Sequence, residues 1–522
     1  MNEIYLYKKN PNLPKAINVG LSYPSTYFYG MSVLGFLSLF KEFDMNQNVS
    51  AQRLFLNSKN LAFEPKKLDL LGFSCIFELD ILQILKILKK YHFKLFSSER
   101  RRKMPLIFAG GPVITSNPEP FADFFDFMIL GDGEGVADEI VEVYSKNKNK
   151  TKLEILKELA KIDGIYVPAL YEVKYKGAEI KQFYPVSSEV PRFVNKRVSN
   201  SEKCLYSPII SENTYYSNTV FIEVARGCPF ECKFCSAHWQ NQPMRFYDLK
   251  HIKKAIKKAS KYAQKIVFIG AMITHHPDFN EICLYLAKLR SKRNFQVEFS
   301  SLSFECPIPN LPDLLDEKTI SLAIECGDEK LRYETCKQLS NEKIYETIDF
   351  YKQKGINKIN LYFIIGLPNE TSDNVDNYID FSVDLANKFP DVKFQHIVSA
   401  FIPKPVTPFE REARKPNAVL KDYIEKIKSV FTENKIDVIL PVLQNDEFNT
   451  LISLGDRRVS KYIEYVFEKN IPVRDMFKEY KKFMKKYNQK LEPDEKLPHY
   501  SKYCYKKKSS EQILPWDFIK YS

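Results

Sequence analysis

Short apolar runs alternate with helical patterns through the first part of the chain, up to about residue 190. Leu79–Tyr91 has the periodicity of an amphipathic helix, and four runs predict buried strands: Lys15–Leu21, Leu68–Ser74, Pro105–Ala109 and Phe127–Leu130. Strands that alternate with helices form right-handed βαβ units. The pattern therefore predicts an N-terminal α/β domain over residues 1–190, with a parallel sheet that would bind ligands at the carboxyl ends of its strands.

The same alternation returns from Thr219 to about Glu410. Helical stretches such as Asp248–Tyr262 and Asn341–Lys354 separate six further predicted strands. These strands are Thr219–Ala225, Lys265–Ile269, Gln296–Ser300, Ile320–Ile324, Lys358–Ile365 and Phe394–Phe401. The pattern predicts a second parallel α/β domain over residues 217–410.

Two regions lie outside these domains. Residues 191–216 are polar and are predicted to be a linker, and residues 411–522 are mostly helical in pattern. The candidate C-terminal helices are Ala418–Asn434, Asp446–Glu468 and Val473–Lys486. The chain beyond Asn488 is expected to be loosely ordered. The stretch Lys481–Lys508 holds ten lysines, which favours a solvated basic surface and leaves nucleic-acid binding as the alternative.

Composition places the chain among ordinary globular proteins, with 522 residues, 44% hydrophobic and 27% charged, and a net charge of +13. No run of eighteen apolar residues occurs, so no membrane span is predicted. Met1–Pro14 lack the apolar segment of a secretory signal. The ten cysteines are irregularly spaced and do not suggest a disulfide framework. A reducing, cytoplasmic location is therefore expected.

Three cysteines stand close together directly after the predicted strand Thr219–Ala225. Cys228, Cys232 and Cys235 have C-x3-C-x2-C spacing. Three thiolates on one loop can bind three irons of a 4Fe–4S cube, and the fourth iron then needs another ligand, because such clusters are normally held by four cysteines. A zinc site is the alternative, since His238 follows three residues after Cys235 and would complete a Cys3His set.

The loop resembles the signature of radical S-adenosylmethionine (SAM) enzymes, in which SAM chelates the open iron. In that family Phe234 would stand at the aromatic position that packs beside the adenine. Ile364–Thr371, Ile-Ile-Gly-Leu-Pro-Asn-Glu-Thr, resembles the family's Ile-x-Gly-Leu-Pro-Gly-Glu-Thr run, so Ile365 and Gly366 are expected to bracket the adenine. With the cysteine loop after its first strand, the second domain is similar to the partial (βα)6 barrel of these enzymes.

The resemblance assigns further residues to SAM. The strand-end stretch Gly270-Ala271-Met272 stands where the family binds the SAM ammonium through backbone groups, with Met272 in place of the usual glutamate. Glu325 stands at a position that binds the ribose, and Arg332 is a candidate partner for the SAM carboxylate. The competing interpretations are a plain turn for the first stretch, an exposed strand-end acid for Glu325 and a helix-surface arginine for Arg332.

The N-terminal region resembles the Rossmann-like, cobalamin-binding-type domain that precedes the barrel in one group of radical SAM proteins. The similar stretches of this region are Leu71–Ser74, Gly110–Pro120 and Leu130–Glu134. The Pro-Lys-Pro run around Lys404, near the end of the second domain, is similar to a stretch of the same group of proteins. Within the turn Gly131–Gly135, Glu134 is a candidate for ribose binding or for capping the next helix. Cobalamin domains that supply a histidine to cobalt carry Asp-x-His-x-x-Gly, but only His92 precedes residue 200 here. Cobalamin binding is thus doubtful, and a domain that serves as a substrate platform is the preferred interpretation.

The sequence therefore predicts a radical SAM enzyme with a 4Fe–4S cluster, SAM and an electron donor such as flavodoxin or ferredoxin. The first alternative is a cobalamin-dependent radical SAM methyltransferase. A tRNA methylthiotransferase is less favoured, because only Cys75 and Cys204 precede the cysteine loop and that group carries three further cluster cysteines there. A non-catalytic zinc or RNA-binding protein is the alternative from another class. No pattern identifies the substrate or a catalytic side chain.

Overall fold

The computed structural model describes residues 3–10, 17–59, 61–101, 103–200, 203–305, 311–316 and 318–521. The first two residues of the predicted strand Lys15–Leu21 lie outside the described residues. Within these ranges the chain forms an N-terminal α/β domain, a partial barrel and a C-terminal group of helices.

The N-terminal domain is built on one sheet, whose strands lie in the spatial order Val49–Leu54, Ile17–Ser22, Leu70–Ser74, Leu106–Gly110, Phe127–Ile129 and Ile165–Tyr166. The first five are parallel and the last is antiparallel, so the predicted parallel α/β sheet is confirmed. The apolar pattern does not predict Val49–Leu54, because Gln52 and Arg53 interrupt it. Both find partners inside the protein: Gln52 donates to the Phe63 carbonyl at 3.0 Å, and Arg53 pairs with Glu3 at 2.7 Å.

The strand order of this sheet creates a crevice at its carboxyl edge. From Ile17–Ser22 the chain passes to Val49–Leu54 on one side and then to Leu70–Ser74 on the other. Where connections leave neighbouring strands in opposite directions, a crevice opens at the carboxyl ends, and sheets of this type bind ligands there. The helices of the domain are Tyr27–Gly30, Leu34–Met45, Asp80–Lys90, Pro112–Ser116, Val136–Asn147 and Lys152–Leu159.

The second domain is a partial barrel made of two parallel sheets. One contains Thr219–Glu223, Lys265–Ile269 and Gln296–Phe299, and the other contains Thr319–Glu325, Lys358–Ile365, Lys393–Ala400 and Asp437–Ile439. The strands follow one another in space as they do in the chain, and six of them coincide with the predicted strands to within two residues at each end. The predicted (βα)6 arrangement is confirmed. Asp437–Ile439 extends the parallel sheet beyond residue 410.

Helices alternate with the barrel strands. They are Leu249–Ala259, Phe279–Arg290, Glu329–Glu334, Asn341–Gln353, Ser372–Lys388 and Asn417–Glu433. Polar side chains determine where several of them begin: the Asp248 carboxylate accepts the N–H of Lys250 at 2.7 Å, and the Ser340 hydroxyl accepts the N–H of Lys343 at 3.1 Å. The apolar faces of helices and strands form one buried core. The carboxyl ends of the strands are thereby left to carry functional groups.

The C-terminal region adds the helices Leu443–Leu454, Val459–Glu468, Val473–Asn488 and Ser501–Cys504. The single helix predicted over Asp446–Glu468 is wrong, because the chain breaks after Leu454. Gly455 is extended, and the Asp456 carboxylate accepts the backbone N–H of Arg458 at 3.0 Å, which begins a new helix.

Apart from Leu443, which packs in the barrel core, these C-terminal helices share one hydrophobic core with the N-terminal sheet. The Asn117 side chain donates to the carbonyls of Ser453 and Gly455, both at 2.9 Å. Arg457 pairs with the fully buried Glu119 at 3.1 Å. The expectation of a loosely ordered chain beyond Asn488 is wrong, because that segment contributes Leu514, Trp516 and Phe518 to the same core.

Short strand pairs connect the remaining segments. They are Glu3–Tyr5 with Ile209–Ser211, Tyr171–Lys176 with Glu179–Pro185, Val194–Asn195 with Ile519–Lys520, and Ala225–Arg226 with Arg245–Phe246. The described part of the predicted linker is therefore ordered and paired with both ends of the chain. None of the helices in the described ranges has both the length and the apolar character needed to cross a membrane.

Candidate functional site

The three cysteines lie on the loop between the first barrel strand and the short helix Ser236–Trp239. Gly227 opens this loop with φ 87°, and a Cβ there would come within 3.0 Å of the Asn241 carbonyl, so the tight approach requires glycine. Cys228, Cys232 and Cys235 are free thiols that line one cavity of ~190 Å³. A 4Fe–4S cube needs three thiolates on different irons, so three cysteines around one cavity fit such a group.

Hydrogen bonds from the following helix hold the loop in shape. Trp239 Nε1 donates to the Cys232 carbonyl at 3.0 Å, and His238 Nδ1 lies 2.7 Å from the Cys228 carbonyl. The Nε2 atom of His238 lies 2.7 Å from the side-chain nitrogen of Gln242. Both ring nitrogens of His238 are thus engaged within the loop, and His238 does not line the cysteine cavity. The structure does not bring together the Cys3His set that a zinc site would need.

Burial raises the pKa of all three thiols, that of Cys232 to about 12, while the charge of Lys337 acts in the opposite direction. Thiolates are the metal-binding form of cysteine, so a metal must displace the thiol protons when it binds. Metal loading of this loop is therefore coupled to proton release.

Four other residues predicted to bind SAM face the same cavity. They are Phe234, Ala271, Met272 and Glu325. Glu325 follows a bulge in its strand and has φ 73°, a left-handed conformation that costs a non-glycine residue about 1–3 kcal/mol. Burial raises the pKa of its carboxyl and the charge of Lys337 lowers it. A strained carboxyl held at a strand end in this way is typical of a functional position.

Arg332 does not reach the cavity. Its side chain is fully buried and donates to the carbonyls of Cys326, Gly327 and Leu339 at 2.7 to 3.2 Å. It also donates to the Asn341 side chain at 2.9 Å. Arg332 therefore braces the segment after the fourth barrel strand, and among the residues that the structure describes the cation lining the cavity is Lys337. The sequence pattern does not single out Lys337, because its place depends on how this segment folds back.

The Gly-Leu-Pro run lies behind Phe234 rather than on the cavity wall. Ile365 is buried in the barrel core, and the N–H of Gly366 donates to the carboxyl of Glu370. Ile364 and Leu367 share a small apolar cluster with Phe234. The structure thus brings the run next to the predicted adenine position, but through residues adjacent to Ile365 and Gly366.

The residue before Gly227 fixes the cysteine loop to the N-terminal domain. Arg226 pairs with Asp132 at 2.8 Å, with Glu134 at 2.7 Å and with Glu223 at 2.7 Å. Burial lowers the pKa of Arg226, but Glu223 and Glu134 outweigh burial and raise it. Arg245 also pairs with Asp132, at 3.0 Å. Glu134 therefore forms an ion pair across the domain boundary. The sequence suggests ribose binding or helix capping for Glu134, and neither interpretation includes this pair.

A second ion pair crosses the same boundary. Lys404, in the Pro-Lys-Pro run, lies 2.5 Å from the buried Glu78 of the N-terminal domain, and the Ser453 hydroxyl donates to the same carboxyl. Three regions of the chain meet at this point. Lys404 is thus engaged by protein rather than by solvent.

A larger cavity of ~430 Å³ lies between the two domains, at the crevice of the N-terminal sheet. Its wall combines the carboxyl ends of that sheet, the helix Leu34–Met45 and the barrel residues around the cysteine loop. Lining residues include Ser22, Phe36, Glu42, Phe73, Lys196, Ala237, Gly270 and Ala271. Ala237 and Ala271 line both this cavity and the cysteine cavity. The two cavities are therefore neighbours.

Comparison with known families agrees with this architecture. The family model "Radical SAM superfamily" matches residues 222–382, which include all three cysteines, and "Radical SAM proteins, N-terminal" matches residues 38–168. The chain belongs to the radical SAM superfamily. It is a radical SAM enzyme with an N-terminal extension of the type found in this superfamily.

Two similar proteins cover most of this radical SAM chain. "Uncharacterized protein MJ0966" of Methanocaldococcus jannaschii is 26% identical over 458 residues, which are 86% of this chain and 91% of that protein. The structure of apo, selenomethionine-labelled OxsB, a cobalamin-dependent S-adenosylmethionine radical enzyme, aligns with a TM-score of 0.50 and 13% identity. That alignment covers 90% of this chain and 73% of OxsB, and it shows a similar fold.

Proposed function

We propose that this enzyme binds a 4Fe–4S cluster through Cys228, Cys232 and Cys235 and binds SAM in the adjoining space. The observation that carries the proposal is that one cavity is lined by the three cysteines together with Phe234 and Glu325. When bound and reduced, by flavodoxin or ferredoxin for example, the cluster and SAM supply a 5′-deoxyadenosyl radical that abstracts hydrogen from the substrate.

The residues of the cavity divide the recognition of SAM among them. In this proposal Glu325 accepts hydrogen bonds from the ribose hydroxyls, and the backbone at Ala271 and Met272 accepts those of the ammonium. Lys337 takes the role that the sequence assigns to Arg332, because a carboxylate needs a cation and Lys337 is the one that lines the cavity among the described residues. Phe234, backed by Ile364, offers a flat apolar surface for the adenine.

The N-terminal domain contributes by covering the barrel. The ion pairs of Arg226 with Asp132 and of Lys404 with Glu78 hold the carboxyl edge of its sheet next to the cysteine loop. Closure of an active site excludes water, which protects a reactive species from side reactions. This arrangement supports a reaction carried out in the space between the domains.

The proposal is tested by purifying the protein without oxygen and measuring iron, sulfide, cobalt and zinc. Dithionite and SAM are then added, and 5′-deoxyadenosine is measured. We expect iron, sulfide and 5′-deoxyadenosine in the wild type and the loss of all three in Cys232→Ala. The matched control is Cys283→Ala, which removes a buried thiol of the helix Phe279–Arg290 and should keep both cluster and activity. Zinc without iron, and no cleavage of SAM, would overturn the proposal and favour RNA binding.

A cobalamin-dependent methyltransferase is the second candidate, favoured by the crevice of the N-terminal sheet and by the fold shared with OxsB. The residues do not fit a cobalamin held by a protein ligand to cobalt. No histidine, cysteine or methionine is among the described residues that line the larger cavity, and His92 is exposed elsewhere. Cobalt in the purified protein would restore this candidate.

A further inference from the structure

The wall of the cavity between the domains contains a buried lysine that forms no ion pair with the residues that the structure describes. Lys196 is 7% exposed and lines the cavity. Its ammonium group donates to the carbonyl of Gln240 at 3.2 Å and to that of Gln242. Among the described residues no carboxylate forms an ion pair with it. A buried charge of this kind is costly unless an anion compensates it, and burial lowers the pKa of Lys196 to about 8.

Burial lowers the pKa of Lys196 and the charge of Asp132 raises it, but among the described residues neither Asp132 nor another carboxylate of the cavity wall forms an ion pair with Lys196. Asp132, Glu134 and Glu223 are all paired with Arg226. Glu42 accepts the N–H of Gly135 at 3.0 Å, and burial raises its pKa to about 7. An ammonium ion has three donors, and two of those of Lys196 are used by carbonyls. Within the described part of the chain the third donor has no acceptor, so this donor and the positive charge are left for a molecule in the cavity.

The rest of the wall is mainly apolar. Val33, which precedes the helix Leu34–Met45, and Phe36 and Leu39 of that helix face the cavity together with Phe73 and Ile76 at the end of a sheet strand. A cavity of ~430 Å³ has the size of a site for a small molecule rather than for a peptide or nucleic acid. Arg226 also lines the cavity, but its charge is engaged by Asp132, Glu134 and Glu223. An ammonium group without an ion pair in a mainly apolar cavity selects for a ligand with an apolar body and one anionic group.

We propose that this cavity is the substrate site and that the substrate is a small molecule with an apolar body and a carboxylate or phosphate group bound by Lys196. This inference rests on the proposed function, because Ala237 and Ala271 place the cavity beside the cysteine cavity where SAM would be cleaved. Lys196 is a binding residue here. It takes no part in the cleavage of SAM.

The test measures the binding of defined probes by calorimetry to the full-length, cluster-loaded protein. The probes are octanoate, 3-phenylpropionate and octyl phosphate, each paired with its neutral amide or alcohol. We expect at least one anion to bind about tenfold or more tightly than its neutral partner, because the neutral compound leaves the lysine unpaired. A carboxylate or a phosphate preference distinguishes the two anionic groups. Equal binding of every pair, or no binding of any anion, would overturn the proposal.

Variants assign the preference to one residue. Lys196→Met should abolish the preference for the anion, and Lys196→Arg should retain most of it. Lys203→Met is the matched control, since Lys203 is an exposed lysine of the same segment that does not line the cavity. A preference that survives in Lys196→Met would also overturn the proposal. The wild-type comparison of anion and neutral probe stands even where a variant does not fold.

The assay of 5′-deoxyadenosine separates this inference from the proposed function. Protein that cleaves SAM but shows no preference for the anion contradicts only the substrate site. Protein that shows the Lys196-dependent preference but does not cleave SAM contradicts only the radical mechanism. The extent of acetylation of Lys196 by acetic anhydride, measured by peptide mass spectrometry, gives a further readout. Octanoate should lower this extent, because the bound anion protects the ammonium group.

Discussion

Arg226 and Asp132 belong to different domains and form an ion pair of 2.8 Å. Arg226 stands two residues before Cys228, and Asp132 lies in the Gly-Asp-Gly-Glu turn at the carboxyl edge of the N-terminal sheet. The side chains are only 14% and 11% exposed. The start of the cysteine loop is therefore positioned by the other domain.

Arg226→Gln should destabilise the protein by about 3 kcal/mol, because it leaves Glu134 and Glu223 largely buried without their cation, while Asp132 keeps Arg245. We expect a lower urea midpoint and less iron per chain after reconstitution. The control is Lys146→Gln, which breaks an exposed pair with Glu142 and should change stability by no more than about 0.5 kcal/mol. An unchanged urea midpoint in Arg226→Gln would show that the N-terminal domain does not position the loop.

Lys337→Met and Arg332→Met should have different effects. Loss of the cation at the cavity wall should weaken SAM binding about tenfold, the value of a hydrogen bond to a charged group, with little change in stability. Loss of Arg332 should lower the urea midpoint, because buried carbonyls of Cys326, Gly327 and Leu339 lose their donor. Equilibrium dialysis with SAM and urea unfolding distinguish them. If Arg332→Met weakened SAM binding and Lys337→Met did not, Arg332 rather than Lys337 would be the partner of the SAM carboxylate.

Glu325→Gln should weaken SAM binding about tenfold, because an amide is a poorer acceptor for the ribose hydroxyls than a carboxylate. The affinity for methionine, which has no ribose, should not change. Calorimetry with SAM and with methionine on the reconstituted protein measures both. Glu334→Gln, at an exposed helix position nearby, is the control. Equal losses for SAM and methionine would mean that Glu325 does not bind the ribose.

His396 should make the barrel less stable in acid. It is fully buried and stacked on Phe363 with 5.0 Å between ring centroids, and burial lowers its pKa to about 3. Below about pH 6.5 the unfolded chain binds a proton that the folded chain excludes, so stability falls by about 1.4 kcal/mol per pH unit down to about pH 3. Between pH 6.5 and 5 the urea midpoint of His396→Phe should fall less than that of the wild type.

The control for this pH dependence is the exposed His92, which has φ 60°. Asparagine tolerates that conformation, so His92→Asn should leave the pH dependence as it is in the wild type. If the midpoint of His396→Phe followed the wild type over the whole range, another group would be responsible for the acid sensitivity.

The barrel strands could be predicted because apolar residues recur in them either in a run or at every second position. Lys358–Ile365 is such a case, since every second side chain of this strand is buried. The strand Val49–Leu54 could not be predicted, because Glu3, the partner that allows Arg53 to be buried, lies far from it in the sequence. The helix break at Gly455 also could not be predicted, because one glycine within an apolar periodic pattern does not by itself end a helix.

The site shows the same limit. Residues within the cysteine motif could be assigned from the sequence, since their spacing alone brings them together. Phe234 and Glu325 line the cavity as the resemblance implies. Arg332 is unavailable to SAM because its side chain donates to backbone carbonyls, which leaves Lys337 as the candidate for the SAM carboxylate. Those hydrogen bonds exist only in the folded segment, so the sequence does not reveal them. The residues next to Lys196 in the sequence do not mark it as a candidate binding residue, because the cavity that it lines is formed by two domains.

The core shared by the N-terminal sheet and the C-terminal helices determines the order of assembly. The N-terminal domain cannot complete its core while residues 443–521 are still being synthesised. Contacts between such distant segments form slowly and leave apolar surface exposed in the meantime. During that interval Glu78 and Lys404 lack the support of Ser453. The contact between the N-terminal domain and the barrel at Lys404 is therefore completed by the C-terminal helices.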